Sequence, residues 1–227
     1  MHLWRRGEHG VPVLVFPTEM GNCRQWEDFG VLDAFAEQIA SGHLHFWCVD
    51  TIDDETFFAP RTVSPTDRAR RHQQYEAHIL DEVVGMISEN RARLIVAGAA
   101  FGAAHAVMLA TRRPWEMRAV YGIAGRYDVS RRLSGLRDGE MYYCDPFAFV
   151  PNLSEEKPGH RVILESMRRL RVEILVGTED PMESESRELE DLLRQKQVDP
   201  HRTAVPGPFS EWSEWTRELV RLLPAAV

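Results

Sequence analysis

The stretch Leu94-Ile95-Val96-Ala97-Gly98-Ala99-Ala100-Phe101-Gly102-Ala103-Ala104-His105-Ala106 constrains this chain more than any other. Its four leading apolar residues read as a buried strand, Gly-x-x-x-Gly as a tight turn, and the small residues after it as a helix. Glycines at 98 and 102 leave room for a strand to reverse directly into a helix, where bulkier side chains would block the turn. Such a turn lifts one side chain, here that of residue 100, above the edge of a sheet; it has the outline of a nucleophile elbow. A reactive elbow carries Ser, Cys or Asp at its tip. This one carries Ala100, whose methyl group can neither attack a carbonyl nor be activated by a base. The frame points to acyl transfer, and its central residue denies it.

Strand and helix patterns alternate around this point. Val11–Phe16 reads as a buried strand, followed by a loop and one helix carrying Trp26, Phe29, Leu32, Phe35 and Ile39 at helical spacing. A strand at His45–Asp50 empties into an acidic loop that runs to Glu55. A long helix is expected from about Asp67 to Asn90, with Tyr75, Ile79, Val83 and Ile87 on one face. Strands at Ala119–Ile123, Val172–Val176 and Thr203–Val205 follow, with helices at Ser184–Gln195 and around Trp212, Trp215, Leu219 and Leu222. Between them, residues from 126 to about 160 keep no period, as a lid or binding insertion would. The alternation predicts an α/β fold with a mostly parallel central sheet, helices on both faces and a short lid, all in one domain over 1–227. In such sheets ligands sit beyond the carboxyl ends of the strands.

Composition narrows the function. A formal charge of −8 argues against nonspecific binding to nucleic acid or an anionic membrane. No apolar run approaches a membrane span and the first residues lack a signal-peptide core, so a cytoplasmic protein is expected. Cys23, Cys48 and Cys144 are odd in number and scattered, which reads as reduced buried thiols.

The segments Pro12–Phe16, Trp26–Phe29, Val49–Asp53, Tyr75–Val84, Gly98–Ala106, Gly125–Asp128 and Pro151–Leu153, in this order and spacing, resemble the esterase family of the α/β-hydrolase superfamily. That family includes esterase D-type enzymes and the mycolyltransferases. The resemblance covers nearly the whole chain and implies an α/β-hydrolase fold with a Ser-His-acid triad. By that pattern Ala100 stands at the nucleophile position, Asp180 of Gly177-Thr178-Glu179-Asp180-Pro181 at the acid position, and Ser210 of Ser210-Glu211-Trp212 at the base position. One triad member of three remains. The oxyanion hole would use backbone N–H groups of Phe101 and of the Thr18-Glu19 loop, with the Glu19 carboxylate pointing either into the site or away from it.

Other residues carry weaker signals. Asp180 and Ser210 also suit helix caps, and His105 suits a hydrogen-bonded structural histidine. Asp50, Asp53, Asp54 and Glu55 are expected to form a solvated loop. Arg126, Arg131, Arg132 and Arg137 can line the ligand rim and attract an anion. No metal or other cofactor is expected. The leading reading is a hydrolase homologue without catalysis that binds a small molecule or a protein partner, a second copy of the chain included. Three alternatives stand beside it. One is an active carboxylesterase or acyl hydrolase with a rearranged constellation, recruiting Cys144, Tyr142, Tyr143 or His201. Another is an esterase whose serine was deliberately replaced, and the last a structural subunit pairing with an active relative.

Overall fold

The structure, a computed structural model, describes residues 1–88 and 93–226. Seven strands form one sheet: β1 (Leu3–Arg6), β2 (Val11–Phe16), β3 (Leu44–Val49), β4 (Leu94–Ala99), β5 (Met117–Ile123), β6 (Arg171–Gly177) and β7 (Pro200–Val205). Their order is β1-β3-β2-β4-β5-β6-β7, and only the β1–β3 pair is antiparallel. The helices are α1 (Gln25–Asp28), α2 (Ala36–Ala40), α3 (Pro65–His78), α4 (Val84–Ile87), α5 (Phe101–Arg112), α6 (Pro146–Phe149), α7 (Pro158–Met167), α8 (Glu183–Gln195) and α9 (Trp212–Leu222).

The central strands are buried on both faces, so their side chains alternate between two cores. Leu14, Phe16 and Val96 face α3, α7 and α8 through Tyr75, Leu164 and Leu189. Val13, Val15 and Ile95 face α1 and α9 through Trp26, Trp215 and Leu219. A third cluster, with Phe57, Phe101, Met108, Leu133 and Cys144, packs the segment after β5 onto the outer side of α5. The α/β-hydrolase reading is therefore right in its layers and in its parallel sheet.

Several local expectations differ. The helix expected across Trp26–Ile39 is broken into α1, a 3-10 turn at Asp33–Phe35 and α2, because Gly30 takes φ +75° between them. The long helix begins at Pro65 with Ser64 accepting the Asp67 N–H (3.1 Å), and passes through a π turn at Ile79–Val83. Its end, expected near Asn90, lies outside the described residues. β1 was not anticipated; at an edge it needs only one half-buried face, a weak pattern in four residues. The insertion consists of short 3-10 turns and α6, and it gives way to α7 at Pro158. Among the described residues no helix is long and apolar enough to cross a membrane.

Candidate functional site

Ala100 occupies the turn between β4 and α5 with φ 51° and ψ −116°. A non-glycine residue held there stores about 1–3 kcal/mol of backbone strain. Its surroundings impose that geometry. The Ala100 N–H donates to the Ile123 carbonyl (2.8 Å), and its own carbonyl accepts from Arg126 N–H (3.2 Å). A Cβ at Gly98 would stand 2.0 Å from the Gly102 carbonyl oxygen, and one at Gly102 would stand 2.1 Å from that of Pro17. Both glycines are thus demanded by close backbone approach. The elbow is complete in form, with a methyl group at its tip.

The loop after β2 packs against the first turn of α5, as an oxyanion loop must. Phe101, the first residue of α5, has no acceptor for its N–H inside the helix. The Thr18 N–H, expected as the second donor, instead donates to Gln25 Oε1 (2.8 Å), and the Gln25 side chain returns a bond to Thr18 Oγ1 (2.9 Å). That removes Thr18 from the candidate donors: a side chain seven residues away already satisfies it. Met20 N–H is also engaged, by Asp53 Oδ2 (3.1 Å). Glu19 N–H is left as the candidate partner of Phe101 N–H. The Glu19 carboxylate faces Arg126 at 4.0 Å, so its charge at the mouth of the elbow is offset. Both side chains are partly exposed, which keeps the pair weak.

The acid and base positions sit on two loops held together by backbone bonds. Thr178 N–H donates to Val205 O (2.8 Å), and Glu179 N–H to Gly207 O (3.0 Å). Asp180 Oδ1 accepts from Met182 N–H (2.8 Å), a turn leading into α8 whose N-cap is Met182. Asp180 therefore supports the helix entry without being its cap. Ser210 is exposed and does not cap α9; Glu211 does, in a capping box with Glu214. The reason is reach, since two glutamates three residues apart satisfy each other's backbone donors. Among the described residues no hydrogen bond joins Ala100, Asp180 and Ser210.

Two of the alternative groups, Cys144 and His201, are badly placed. Cys144 is fully buried, donates to Glu76 Oε2 (3.1 Å), and burial pushes its thiol pKa far up. A protonated, enclosed thiol is inert. His201 lies near the start of β7, exposed and 3.4 Å from Glu173, at the end of the sheet opposite the elbow. His105 Nε2 donates to Asp53 Oδ1 (3.1 Å), and both residues are buried. Asp53 is thus a structural acceptor holding α5 and the Met20 loop, and Asp50 similarly accepts from Cys23 N–H (2.9 Å). The loop expected to be solvated is, at these two aspartates, a set of internal anchors. His72 and Glu76 join the same buried region; their i,i+4 spacing on α3 was the available signal.

The insertion arginines divide into two kinds. Arg131 pairs with Asp128 (3.2 Å) and Glu185 (3.2 Å), and Arg137 with Asp128 (2.6 Å) and Asp145 (2.7 Å). Arg132 instead lies over the Phe58 ring at 4.3 Å. Arg126, Arg131 and Arg132 line a cleft of about 320 Å³ whose floor includes Phe101. The carboxyl ends of β4, β5 and β6 therefore converge on one concave rim.

No protein-family profile matches the sequence, and no curated protein matches it either. Solved structures do. A ferulic acid esterase superposes with a TM-score of 0.68 at 15% identity, over 96% of this chain and 85% of the other. The S-formylglutathione hydrolase of Staphylococcus aureus gives 0.65 at 11% identity, over 97% and 82%. The carboxylesterase of Bacillus cereus gives 0.63 at 13% identity, over 100% and 95%. At such identities the likeness is one of fold: this chain has the architecture of esterases and serine hydrolases.

Proposed function

We propose that this protein is an esterase-like α/β-hydrolase homologue that has lost catalysis and binds a small molecule at the rim of the vacated elbow. The observation that carries this reading is the strained turn itself. Its backbone geometry is maintained at Ala100, although a methyl group there gains nothing from the strain. A site kept in shape without its nucleophile is a site for binding. The position of Ser210 supports the same reading, because no imidazole stands where the general base is needed. Backbone donors survive any side-chain change, so Phe101 and Glu19 N–H groups remain available to a ligand oxygen.

The reading that another constellation hydrolyses esters has no observation in its favour: Cys144 is enclosed and His201 is at the far end of the sheet. The test is a repair. The wild type, Ala100→Ser and Ser210→His are each expected to stay near buffer rates on short nitrophenyl esters. A triad works as a unit, so the double variant should exceed the larger single variant by about 100-fold or more. Wild-type turnover on the order of one per second, the usual enzyme range, would overturn the loss of catalysis. Full activity from Ala100→Ser alone would show that a working base was already present.

A further inference from the structure

Beside the elbow cleft lies a second one, of about 700 Å³, between the loop after residue 56, the start of α3 and the 3-10 turn at Val129–Leu133. Every charged residue lining it is an arginine: Arg61, Arg68, Arg131 and Arg132. Arg131 is neutralised by Asp128 and Glu185. Among the described residues no ion pair engages Arg61, Arg68 or Arg132. In a chain of net charge −8 carrying 35 acidic residues, three arginines without a carboxylate at one cleft is a local inversion of sign.

Arg68 makes that inversion costly. It is only 6% exposed, and its guanidinium donates to the carbonyls of Thr56 and Phe57, which hold it in place without cancelling its charge. Burial, and then the neighbouring Arg132, lower its pKa from the ordinary arginine value. Arginine stays charged nonetheless, so the cleft keeps its field. A buried cation is expensive unless something compensates it. Beside the arginines the lining is Ser134 and a run of apolar residues that includes Phe57, Phe58, Pro60 and Val63. Arg131 and Arg132 also line the elbow cleft, and the Phe58 ring meets the Phe101 ring edge-on with centroids 5.1 Å apart. The two clefts share a wall.

We infer that the cleft at Arg61, Arg68 and Arg132 receives the phosphate of a phosphate monoester, whose apolar portion lies along Phe57 and Phe58 toward the elbow. Three positive charges suit a dianion better than a monoanion, and guanidinium forks match phosphate oxygens two at a time. The apolar wall demands more than a bare ion. This assignment rests on the reading of the elbow rim as a binding surface and names the ligand class it would take.

Calorimetric titration of the full-length protein at low salt tests it, with phenyl phosphate, inorganic phosphate, benzoate and phenol as probes. Phenyl phosphate should bind saturably with a dissociation constant on the order of 0.1 mM. Inorganic phosphate and benzoate should be weaker, phenol weakest, and 0.5 M salt should reduce the first three. Arg132→Ala and Arg61→Ala are exposed substitutions that leave the core untouched. Each should weaken phenyl phosphate about 10-fold or more, with Arg132→Lys in between. Arg221→Ala, on α9, should change nothing. Three results would overturn the assignment: no binding of phenyl phosphate, benzoate binding as tightly, or equal losses in Arg132→Ala and Arg221→Ala, which would mean an adventitious ion only. Ester turnover by the wild type would instead overturn the loss of catalysis and leave these titrations intact.

Discussion

Two groups of residues, one at the carboxyl rim of the sheet and one packed against α5, have opposite characters. On the rim, Ala100, Asp180 and Ser210, the residues that the family resemblance assigns to a triad, have no hydrogen bond among them in the described structure, and Ser210 is exposed. Inside, Asp53, His72, Tyr75, Glu76, His105 and Cys144 are all buried and close-packed, and Asp53–His105 and Cys144–Glu76 are bonded pairs. Solvent explains the contrast. An exposed hydroxyl such as that of Ser210 is solvated by water and costs little. A buried donor or acceptor that loses its partner costs about 1–3 kcal/mol, more if charged, so the Asp53–His105 and Cys144–Glu76 pairs are held in place by the fold itself. The buried anchors that shape these loops are therefore under a constraint that the exposed rim residues are not.

The largest effect should come from breaking the inner group. Asp53→Ala removes the acceptor of both His105 and Met20 N–H, and is expected to cost about 3–5 kcal/mol in urea unfolding. A loss below about 1 kcal/mol would mean that the inner residues are as replaceable as the rim. A smaller effect should appear in the dependence of stability on pH. Burial first, and His105 second, hold the His72 pKa well below 6.5, while burial raises that of Glu76. For His72 the unfolded chain binds the proton first as pH falls through about 6.5, so stability drops on the acid side of that value. For Glu76 the folded chain binds the proton first, so stability falls as pH rises above about 4.5. The two slopes oppose each other between these values. Glu76→Gln should remove one of them and leave a steeper acid loss, measured as urea midpoints from pH 7 to pH 5. An unchanged profile would show that Glu76 does not titrate differently in the folded and unfolded states.

The smallest effect belongs to the rim. Glu19→Gln breaks a partly exposed pair with Arg126 and should shift stability by less than about 1 kcal/mol. A larger loss would show that the Glu19 carboxylate, one oxygen of which is buried, helps to hold the elbow.

Much of the fold was legible because its signals are local. Apolar runs in β2, β4 and β6 announce buried parallel strands, and the small residues after Gly98 announce a helix pressed against a sheet. The break at Gly30 was hidden by helical spacing that continues on both sides of it. β7 was expected from Thr203 but starts at Pro200, because an edge strand tolerates exposed residues that blur its pattern. At the site, the turn and the alanine at its tip were visible in five residues. That Thr18 N–H is consumed by Gln25 was not, since any side chain with an oxygen can take a backbone donor once the chain folds back.

What the sequence determined by itself was therefore a parallel sheet with an elbow at Gly98–Gly102, and a methyl group at its tip. Periodicity is a property of neighbouring residues, and no distant contact alters it, although the close approach that demands Gly102 comes from the distant Pro17 carbonyl. The tertiary structure alone decided which arginines remain unneutralised. Arg131 and Arg132 are adjacent in the chain, yet one meets Glu185, 54 positions away, and the other lies over the Phe58 ring. Arg68 shares α3 with Arg70 and Arg71, which both pair with carboxylates, and alone of the three turns inward. Charge pairing depends on distance in space, which steepens every electrostatic difference as water is removed, and residue order carries no measure of it.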